Sequence, residues 1–249
     1  MKGTRGYVIH LVRATSRRSN ADRLAAEIPL ETQLLDAVDG THLHGKALTD
    51  AYRVGLHEPG YPFGLRGGEI GCTLSHRAAW AKIVESGAQA ALIVEDDVAL
   101  QKDIFRKSLE FARAHVARLG YIQFNTRPSQ KSGKIVATHG DVRIVGHRIT
   151  PLRTSCQLVS RAAASKLLDK TTPCDRPIDV FLQMRWITGQ TVFTIYPSGV
   201  SDIAASVGGS VIQQKVPGAQ RLRREYARFA YRRKIANLSA RHPIKEPQP

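Results

Sequence analysis

The stretch A-L-I-V-E-D-D-V-A-L, residues 91–100, joins an apolar run directly to three acidic side chains. The apolar part is typical of a buried strand, and Glu95, Asp96 and Asp97 stand at its carboxyl end. Neighbouring carboxylates repel one another and are costly to bury without partners, so we expect a positive group beside them. Carboxylate oxygens are ligands of Mg²⁺ and Mn²⁺, ions that also bind phosphate. The alternative is that the acids cap a following helix and meet its dipole.

The side chains of a strand alternate between its two faces. If the strand continues through the acids, Glu95 and Asp97 lie on one side of it and Asp96 on the other. All three acids therefore need not bind the same ion.

Strands and helices alternate on both sides of this stretch. The predicted strands are residues 7–11, 32–37, 90–94, 121–125, 134–138, 142–146 and 192–196. The predicted helices are residues 15–28, 69–86, 104–119 and 161–168, and the glycines and prolines of 41–68 predict irregular structure. The alternation predicts an α/β fold with a mostly parallel central sheet, in which ligands bind at the carboxyl ends of strands.

The chain is strongly basic, with a formal net charge of +16 over 249 residues. Such a charge draws a protein to phosphate-rich partners, namely nucleic acid, an anionic membrane surface or nucleotides. The excess is greatest in residues 221–241, where Glu225 is the single acid among many arginines.

The C-terminal part differs in composition from the rest. Glycines near residue 208 mark a linker, so we predict a catalytic domain at 1–207 and a basic, partly helical extension at 208–249. Leu222, Tyr226, Phe229 and Ala230 recur at helical spacing among arginines, which is typical of a helix on an anionic membrane surface. The alternative is a packed C-terminal helix with a solvated charged face.

The cysteines and the N-terminal segment bear on the compartment. Cys72, Cys156 and Cys174 lie far apart, which favours small buried side chains in a reducing compartment over a disulfide framework or a zinc site. The apolar run at residues 7–12 is short and is followed by arginines, so it makes a poor signal peptide. We therefore expect a cytoplasmic protein.

Four blocks of the sequence resemble a known family. G-E-I-G-C-T-L-S-H-R-A-A-W at 68–80, followed by I-V-E-D-D at 93–97, is similar to glycosyltransferase family 25, the bacterial lipooligosaccharide galactosyltransferases and their relatives. V-I-H-L-V-R at 8–13 and A-V-D-G at 37–40 fit the same pattern, and the resemblance extends over about residues 6–200. His10 stands where the family more often has asparagine.

The resemblance implies a GT-A-like nucleotide-sugar-binding fold. It also implies a UDP-hexose donor, with galactose favoured, a saccharide acceptor on a growing lipid-linked oligosaccharide, and inversion at the anomeric carbon. A lipid-linked acceptor would place the protein peripherally on the inner membrane face. Mn²⁺ or Mg²⁺ held by Asp97, with Asp96 or Glu95 nearby, would neutralise the charge on the leaving phosphate.

The remaining candidate residues take roles around this donor. A base must remove the proton of the acceptor hydroxyl, and we predict Asp179 in P-I-D, residues 177–179, with Asp175 in reserve. Asp179 could equally be a helix cap after Pro177. The predicted donor-binding residues are Arg13, His10, Asp39, Glu95, Asp96 and His76. Of these, Arg13 can pair with a diphosphate, whereas His76 is expected to hold the backbone of the site.

Two other classes of function stay open. A nucleic-acid-binding protein would explain the charge, but no zinc pattern or RNP-like motif is present, and three clustered carboxylates would repel phosphate without a metal. We therefore expect no nucleic-acid partner. An inactive scaffold of the same fold is the third possibility.

Overall fold

A computed structural model describes residues 3–127, 133–207 and 218–244. Its strands are β1 Thr4–His10, β2 Glu31–Asp36, β3 Ala90–Glu95, β4 Val98–Leu100, β5 Tyr121–Phe124, β6 Lys134–His139, β7 Val142–Gly146, β8 Cys156–Ser160, β9 Val192–Tyr196 and β10 Val200–Asp202. Its helices are α1 Thr15–Glu27, α2 Gly45–Ala51, α3 Gly67–Glu85, α4 Lys102–Leu119, α5 Arg161–Lys170, α6 Ile178–Phe181, α7 Arg185–Thr188 and α8 Gly218–Arg241.

The central sheet has eight strands in the order β2-β1-β3-β8-β5-β9-β7-β6 within the described ranges. Strand β1 pairs in parallel with both β2 and β3, and β5 pairs in parallel with β9. Strands β8 and β7 run against their neighbours, so the other six strands share one direction. The expected α/β fold with a mostly parallel sheet is confirmed.

Helices cover both faces of the sheet. Leu92 and Val94 of β3 pack with Leu24 of α1 and Leu109 of α4 on one face. Ala91 and Ile93 pack on the other face, with Trp80 and Ile83 of α3 and Leu167 of α5. The alternation along β3 therefore directs successive side chains to α1 and α4 on one face and to α3 and α5 on the other.

Most predicted elements are present, with shifted ends. Residues 41–68 contain more structure than expected, because a 3-10 helix at Gly40–His42 and helix α2 lie within or beside this segment. The buried strand β8 was not assigned bounds from the sequence, and it runs antiparallel between β3 and β5.

Strand β3 ends at Glu95, and Asp96 and Asp97 form a turn. The alternation expected for a strand continuing through the acids is therefore wrong beyond Glu95. Strand β4 follows at once and pairs with β10 in a separate small sheet.

Helix α8 packs on the body of the protein through one face. Tyr231 and Ile235 are buried against Val180, Phe181 and Met184. The linker predicted around residue 208 lies outside the described residues, and the division at 207/208 stays a prediction. No helix among the described residues is both long enough and apolar enough to cross a bilayer.

Candidate active site

A cavity of about 130 Å³ lies at the carboxyl ends of the adjacent strands β1 and β3. Helices α1 and α3 and the turn after β2 complete its walls. It is lined by Ile9, Leu11, Arg13, Ala14, Arg17, Ala37, Val38, Asp39, Gly40, Gly68, Cys72, Ser75, His76, Glu95, Asp96 and Asp97. Four separate sequence blocks therefore meet here, as the strand-end argument predicts.

Asp96 is an internal anchor of this site. Its side chain is 5% exposed, its Oδ2 lies 2.7 Å from Nδ1 of His10, and its Oδ1 accepts a hydrogen bond of 3.0 Å from Arg17. Asn20 donates to the carbonyl oxygens of Asp96 and Val98, which fixes the turn. Both carboxylate oxygens are thus engaged, so this geometry does not favour the predicted metal role of Asp96. His10 supports the site from beneath and does not line the cavity.

Asp97 is the acid of the triplet that is best placed to bind a ligand. Its side chain is 20% exposed, and Arg17 donates to its Oδ2 at 3.2 Å. Burial and the charge of Glu95 raise the pKa of Asp97 to about 6, although Arg17 opposes the shift. Because these surroundings disfavour the ionised form of Asp97, a further cation beside it would stabilise the carboxylate.

Glu95 points to the opposite side, towards α3. Its Oε1 lies 2.9 Å from Nε2 of His76 and accepts a hydrogen bond of 3.0 Å from the Thr154 hydroxyl. Nδ1 of His76 lies 2.8 Å from Nε2 of Gln157, so Gln157 donates to Nδ1 and His76 donates from Nε2 to Glu95. Burial opposes ionisation of Glu95, but the bonds from His76 and Thr154 outweigh it and lower the pKa. His76 therefore holds the side chains of Glu95 and Gln157, and not the backbone of the site as predicted.

Arg13 and Asp39 form the outer wall of the cavity. Arg13 pairs with Asp39, whose Oδ1 also accepts from the Thr41 hydroxyl at 2.6 Å and from the Thr41 amide at 3.0 Å. These hydrogen bonds hold the pKa of Asp39 well below its usual range. Asp39 therefore shapes the turn, and Arg13, which is nearly half exposed, presents positive charge to the cavity.

The turn and the start of α3 are in backbone contact. A Cβ atom on Gly71 would lie 2.5 Å from the carbonyl oxygen of Val38, and one on Gly40 would lie 1.8 Å from that of Gly67. The A-V-D-G and G-E-I-G blocks are therefore one packed unit.

The two candidate bases occupy different environments. Asp179 accepts hydrogen bonds from the amides of Arg153, at 3.1 Å, and Val180, at 2.8 Å. Burial raises the pKa of Asp179, with a further contribution from Glu95. Asp179 stands in the first turn of α6, whose N-cap is Pro177, so Asp179 is not the cap residue.

Asp175 is instead part of the protein's interior. It forms a fully buried ion pair with Arg176 at 2.7 Å and accepts from the amides of Leu56 and His57. Arg176 in turn donates to Tyr231 of α8 at 2.9 Å. Neither Asp175 nor Asp179 lines the cavity. Asp175 is committed to a buried ion pair, whereas Asp179 accepts hydrogen bonds from backbone amides, so the structure favours Asp179 as the candidate base.

A second group within the described ranges could hold a metal ion. The ligand atoms of Cys72, His76 and Glu95 lie within 4.8 Å of one another. Both ring nitrogens of His76 are already hydrogen-bonded, and burial raises the pKa of the Cys72 thiol. Asp97 is therefore the better candidate for a hard divalent ion.

Three contributors were not selected from the sequence. Arg17 bridges Asp96 and Asp97, and its position after the first strand was a signal that favoured diphosphate binding instead. Thr154 and Gln157 hold Glu95 and His76 from β8 and the segment before it. No sequence signal indicates their role, because it depends on β8 lying next to β3.

Comparisons with known proteins fit this architecture. A family model described as "Glycosyltransferase family 25 (LPS biosynthesis protein)" matches residues 4–182. A "Glycosyltransferase 25 family member" of Drosophila melanogaster is 30% identical over 187 residues, which are 72% of this chain and 30% of the relative. Human "Procollagen galactosyltransferase 2" is 34% identical over 106 residues, covering 41% of this chain and 17% of the relative.

A further relative carries a different description. The mouse "Inactive glycosyltransferase 25 family member 3" is 36% identical over 107 residues, covering 42% of this chain and 18% of the relative. In all three cases the chain spans less than a third of the relative's length.

Similarity to solved structures is weaker. A structure described as mannose-1-phosphate geranyltransferase from Thermus thermophilus has a TM-score of 0.43 and 13% identity, covering 78% of this chain and 74% of that one. A glycosyltransferase involved in glycosylation of the major capsid of PBCV-1 has a TM-score of 0.31 and 9% identity, covering 66% and 62%.

Proposed function

The chain belongs to glycosyltransferase family 25, and from this premise we propose that it transfers a hexose from a UDP-sugar to a saccharide acceptor with inversion. The proposal rests on one observation, which is that the three acids of the triplet have different hydrogen-bond partners. Asp96 and Glu95 are occupied by internal partners, whereas Asp97 faces the cavity beside Arg17 and Arg13. This arrangement suits a negatively charged donor that brings a cation with it.

A divalent metal fits the donor set. Mg²⁺ and Mn²⁺ are commonly held by one or two carboxylates together with substrate phosphates, and Asp97 supplies one such carboxylate. When bound there, the ion supplies positive charge against the leaving phosphate. Arg17 holds Asp97 in place, and Arg13 can add a charge-assisted hydrogen bond to the diphosphate.

Inversion requires the attacking hydroxyl to approach opposite the leaving group. Asp179, supported by the Arg153 amide, is the carboxylate proposed to take the acceptor proton. Its burial raises its pKa, which makes it a stronger base once ionised. His76 and Gln157 keep Glu95 fixed beneath this side of the site.

The names of the relatives inform the choice of sugar and acceptor. The human and zebrafish relatives are described as procollagen galactosyltransferases, which supports galactose as the transferred sugar. The family description refers to LPS biosynthesis, which supports a saccharide of a lipooligosaccharide or related glycan as the acceptor.

A donor screen tests this proposal. UDP-, GDP- and CMP-sugars are compared for hydrolysis with Mn²⁺ and for UDP release when saccharide acceptors are added. We expect turnover with a UDP-hexose and its loss in D97A. Hydrolysis confined to a donor other than a UDP-sugar, or full Mn²⁺-dependent turnover by D97A, would contradict the proposal.

An inactive scaffold is the second candidate, favoured by the mouse relative described as inactive. A scaffold would bind UDP and Mn²⁺ without releasing UDP from any sugar donor.

Helix α8 supports a proposed attachment to an anionic membrane surface on the cytoplasmic side. Leu222, Tyr226 and Phe229 are 76%, 74% and 61% exposed and lie on the face opposite Tyr231 and Ile235. Arginines flank this apolar stripe, which is the pattern of an interfacial helix.

Vesicle flotation tests the attachment. We expect binding to vesicles with anionic lipid, little binding to neutral ones, and loss of binding in Y226E/F229E. V54E is the control, because Val54 is an apolar side chain that is 72% exposed and lies outside helix α8. Equal binding by Y226E/F229E and V54E would contradict the proposal.

A further inference from the structure

Arg153 is the single described non-glycine residue with a positive φ, which is +94°. Side chains other than glycine avoid this region because the Cβ atom meets the backbone. Strained residues of this kind persist where their surroundings fix them, and they cluster at ligand sites. The neighbours of Arg153 therefore matter for its role.

The backbone of Arg153 is held on both sides by polar side chains. Its amide donates to Oδ2 of Asp179 at 3.1 Å, and its carbonyl oxygen accepts from the buried Gln123. The next residue, Thr154, donates to Glu95. Arg153 is thus fixed between the proposed base and the end of β3.

The guanidinium of Arg153 reaches strand β10. It pairs with Asp202, which lies opposite Val98 in the β10–β4 ladder, while the Ile203 amide donates to the Asp97 carbonyl oxygen at 2.9 Å. Arg127 also lies 3.8 Å from Asp202, so two arginines share one carboxylate here. This group of three side chains therefore carries a net positive charge, and the side chain of Arg153 is 40% exposed.

We propose that Arg153 binds the distal phosphate of the nucleotide-sugar donor, exchanging Asp202 for that phosphate when the donor enters. This deepens and rests on the proposed function. The sugar must lie between the leaving phosphate and Asp179, and Arg153 joins the Asp179 side of the site to the Asp97 side. The guanidinium of an arginine presents several N–H donors in a fork that matches phosphate oxygens. Phosphate binding would therefore explain why an arginine occupies a backbone position that favours glycine.

Binding of UDP and UMP to the full chain with Mn²⁺, measured by calorimetry, tests the proposal. We expect R153A and R153G to weaken UDP binding about tenfold or more, with UMP binding changed less than about threefold. R153K keeps the charge and should lose less UDP affinity. R153G should melt at a higher temperature than R153A, because glycine relieves the φ strain.

D202N is the matched control. It removes the resting partner of Arg153 and keeps the guanidinium, so UDP affinity should be equal to or higher than that of the wild type. If D202N loses as much UDP affinity as R153A, then Arg153 merely anchors Asp202 and the proposal fails. Wild-type UDP affinity in R153A would also overturn the proposal. If R153A does not fold, the UDP-to-UMP ratio of R153G decides, and an unchanged ratio rejects the contact. A wild type that binds neither nucleotide instead refutes the proposed function itself.

Discussion

Ionisation of Asp97 lowers the stability of the folded state. Its pKa is raised to about 6, so between about pH 4 and 6 the folded state binds more protons than the unfolded state. Stability from this group is therefore present at low pH and is lost as the pH rises through 6. A cation bound beside Asp97 would offset this loss of folding stability at neutral pH, so ligand binding and stability would be linked through the same carboxylate.

D97N should remove this cost while retaining the shape of the side chain. In metal-free buffer we expect D97N to be more stable than the wild type at pH 7.5 by about 1–3 kcal/mol, with the difference shrinking towards pH 4. Thermal unfolding at the two pH values measures it. Added Mn²⁺ should raise the Tm of the wild type and not that of D97N, and equal Mn²⁺ stabilisation of both would contradict the ligand assignment.

Asp179 should govern the pH dependence of turnover. Its pKa is raised by burial, so activity is expected to fall as the pH drops through that raised value and the base becomes protonated. D179N should lower kcat about 10²–10⁴-fold with unchanged UDP affinity.

Asp175 provides the contrast. D175N leaves the buried charge of Arg176 without a counter-charge, so it should destabilise the fold by about 3–5 kcal/mol. If D175N lowered kcat in the folded protein while D179N did not, the two assignments would have to be exchanged.

At the scale of elements, the contact between the turn after β2 and helix α3 explains two sequence blocks at once. Gly40 and Gly71 are required because the two backbones touch, which no analysis of either block alone could reveal. The closeness also sets the position of Ser75, whose hydroxyl accepts from the Val38 amide at 2.8 Å.

G71A should therefore be destabilising although alanine favours helices. The added Cβ meets backbone atoms that cannot rotate away, so we expect a loss of about 1–3 kcal/mol. G60A is the control, because nothing lies within 4 Å of its added Cβ, and its stability should change by less than about 0.5 kcal/mol. Denaturant unfolding of both variants measures the difference, and equal midpoints would show that the helix can shift to make room.

The longer elements were accessible from the sequence because their apolar period is unambiguous. Helices α3 and α4 and strands β1 and β3 were predicted close to their observed positions. The short helices α6 and α7 and the placement of β8 were not, because they depend on tertiary contacts of Val180, Met184 and Gln157. For the same reason the sequence located the acidic triplet but could not distribute roles among its members.

At the scale of the whole molecule, the net charge of +16 has two separable consequences. Exposed arginines attract any polyanion, and this attraction is screened by salt. The proposed donor binding inside the cavity would involve Asp97, Arg17 and Arg13 at short range, so it should be screened much less.

Thermal stabilisation should separate the two effects. We expect UDP with Mn²⁺ to keep most of its stabilisation between about 0.05 and 0.5 M NaCl, while any stabilisation by duplex DNA is lost over that range. Stabilisation by nucleic acid that survives high salt, together with none by UDP, would favour the nucleic-acid-binding alternative.

The engagement of Asp96 and Glu95 by internal partners bears on how catalytic competence is judged in this family. A chain could lose only Asp97 and still keep the hydrogen bonds of Asp96 and Glu95 that hold this turn. Under the proposed function, the third acid of E-D-D would then distinguish a working transferase from a folded but silent paralogue.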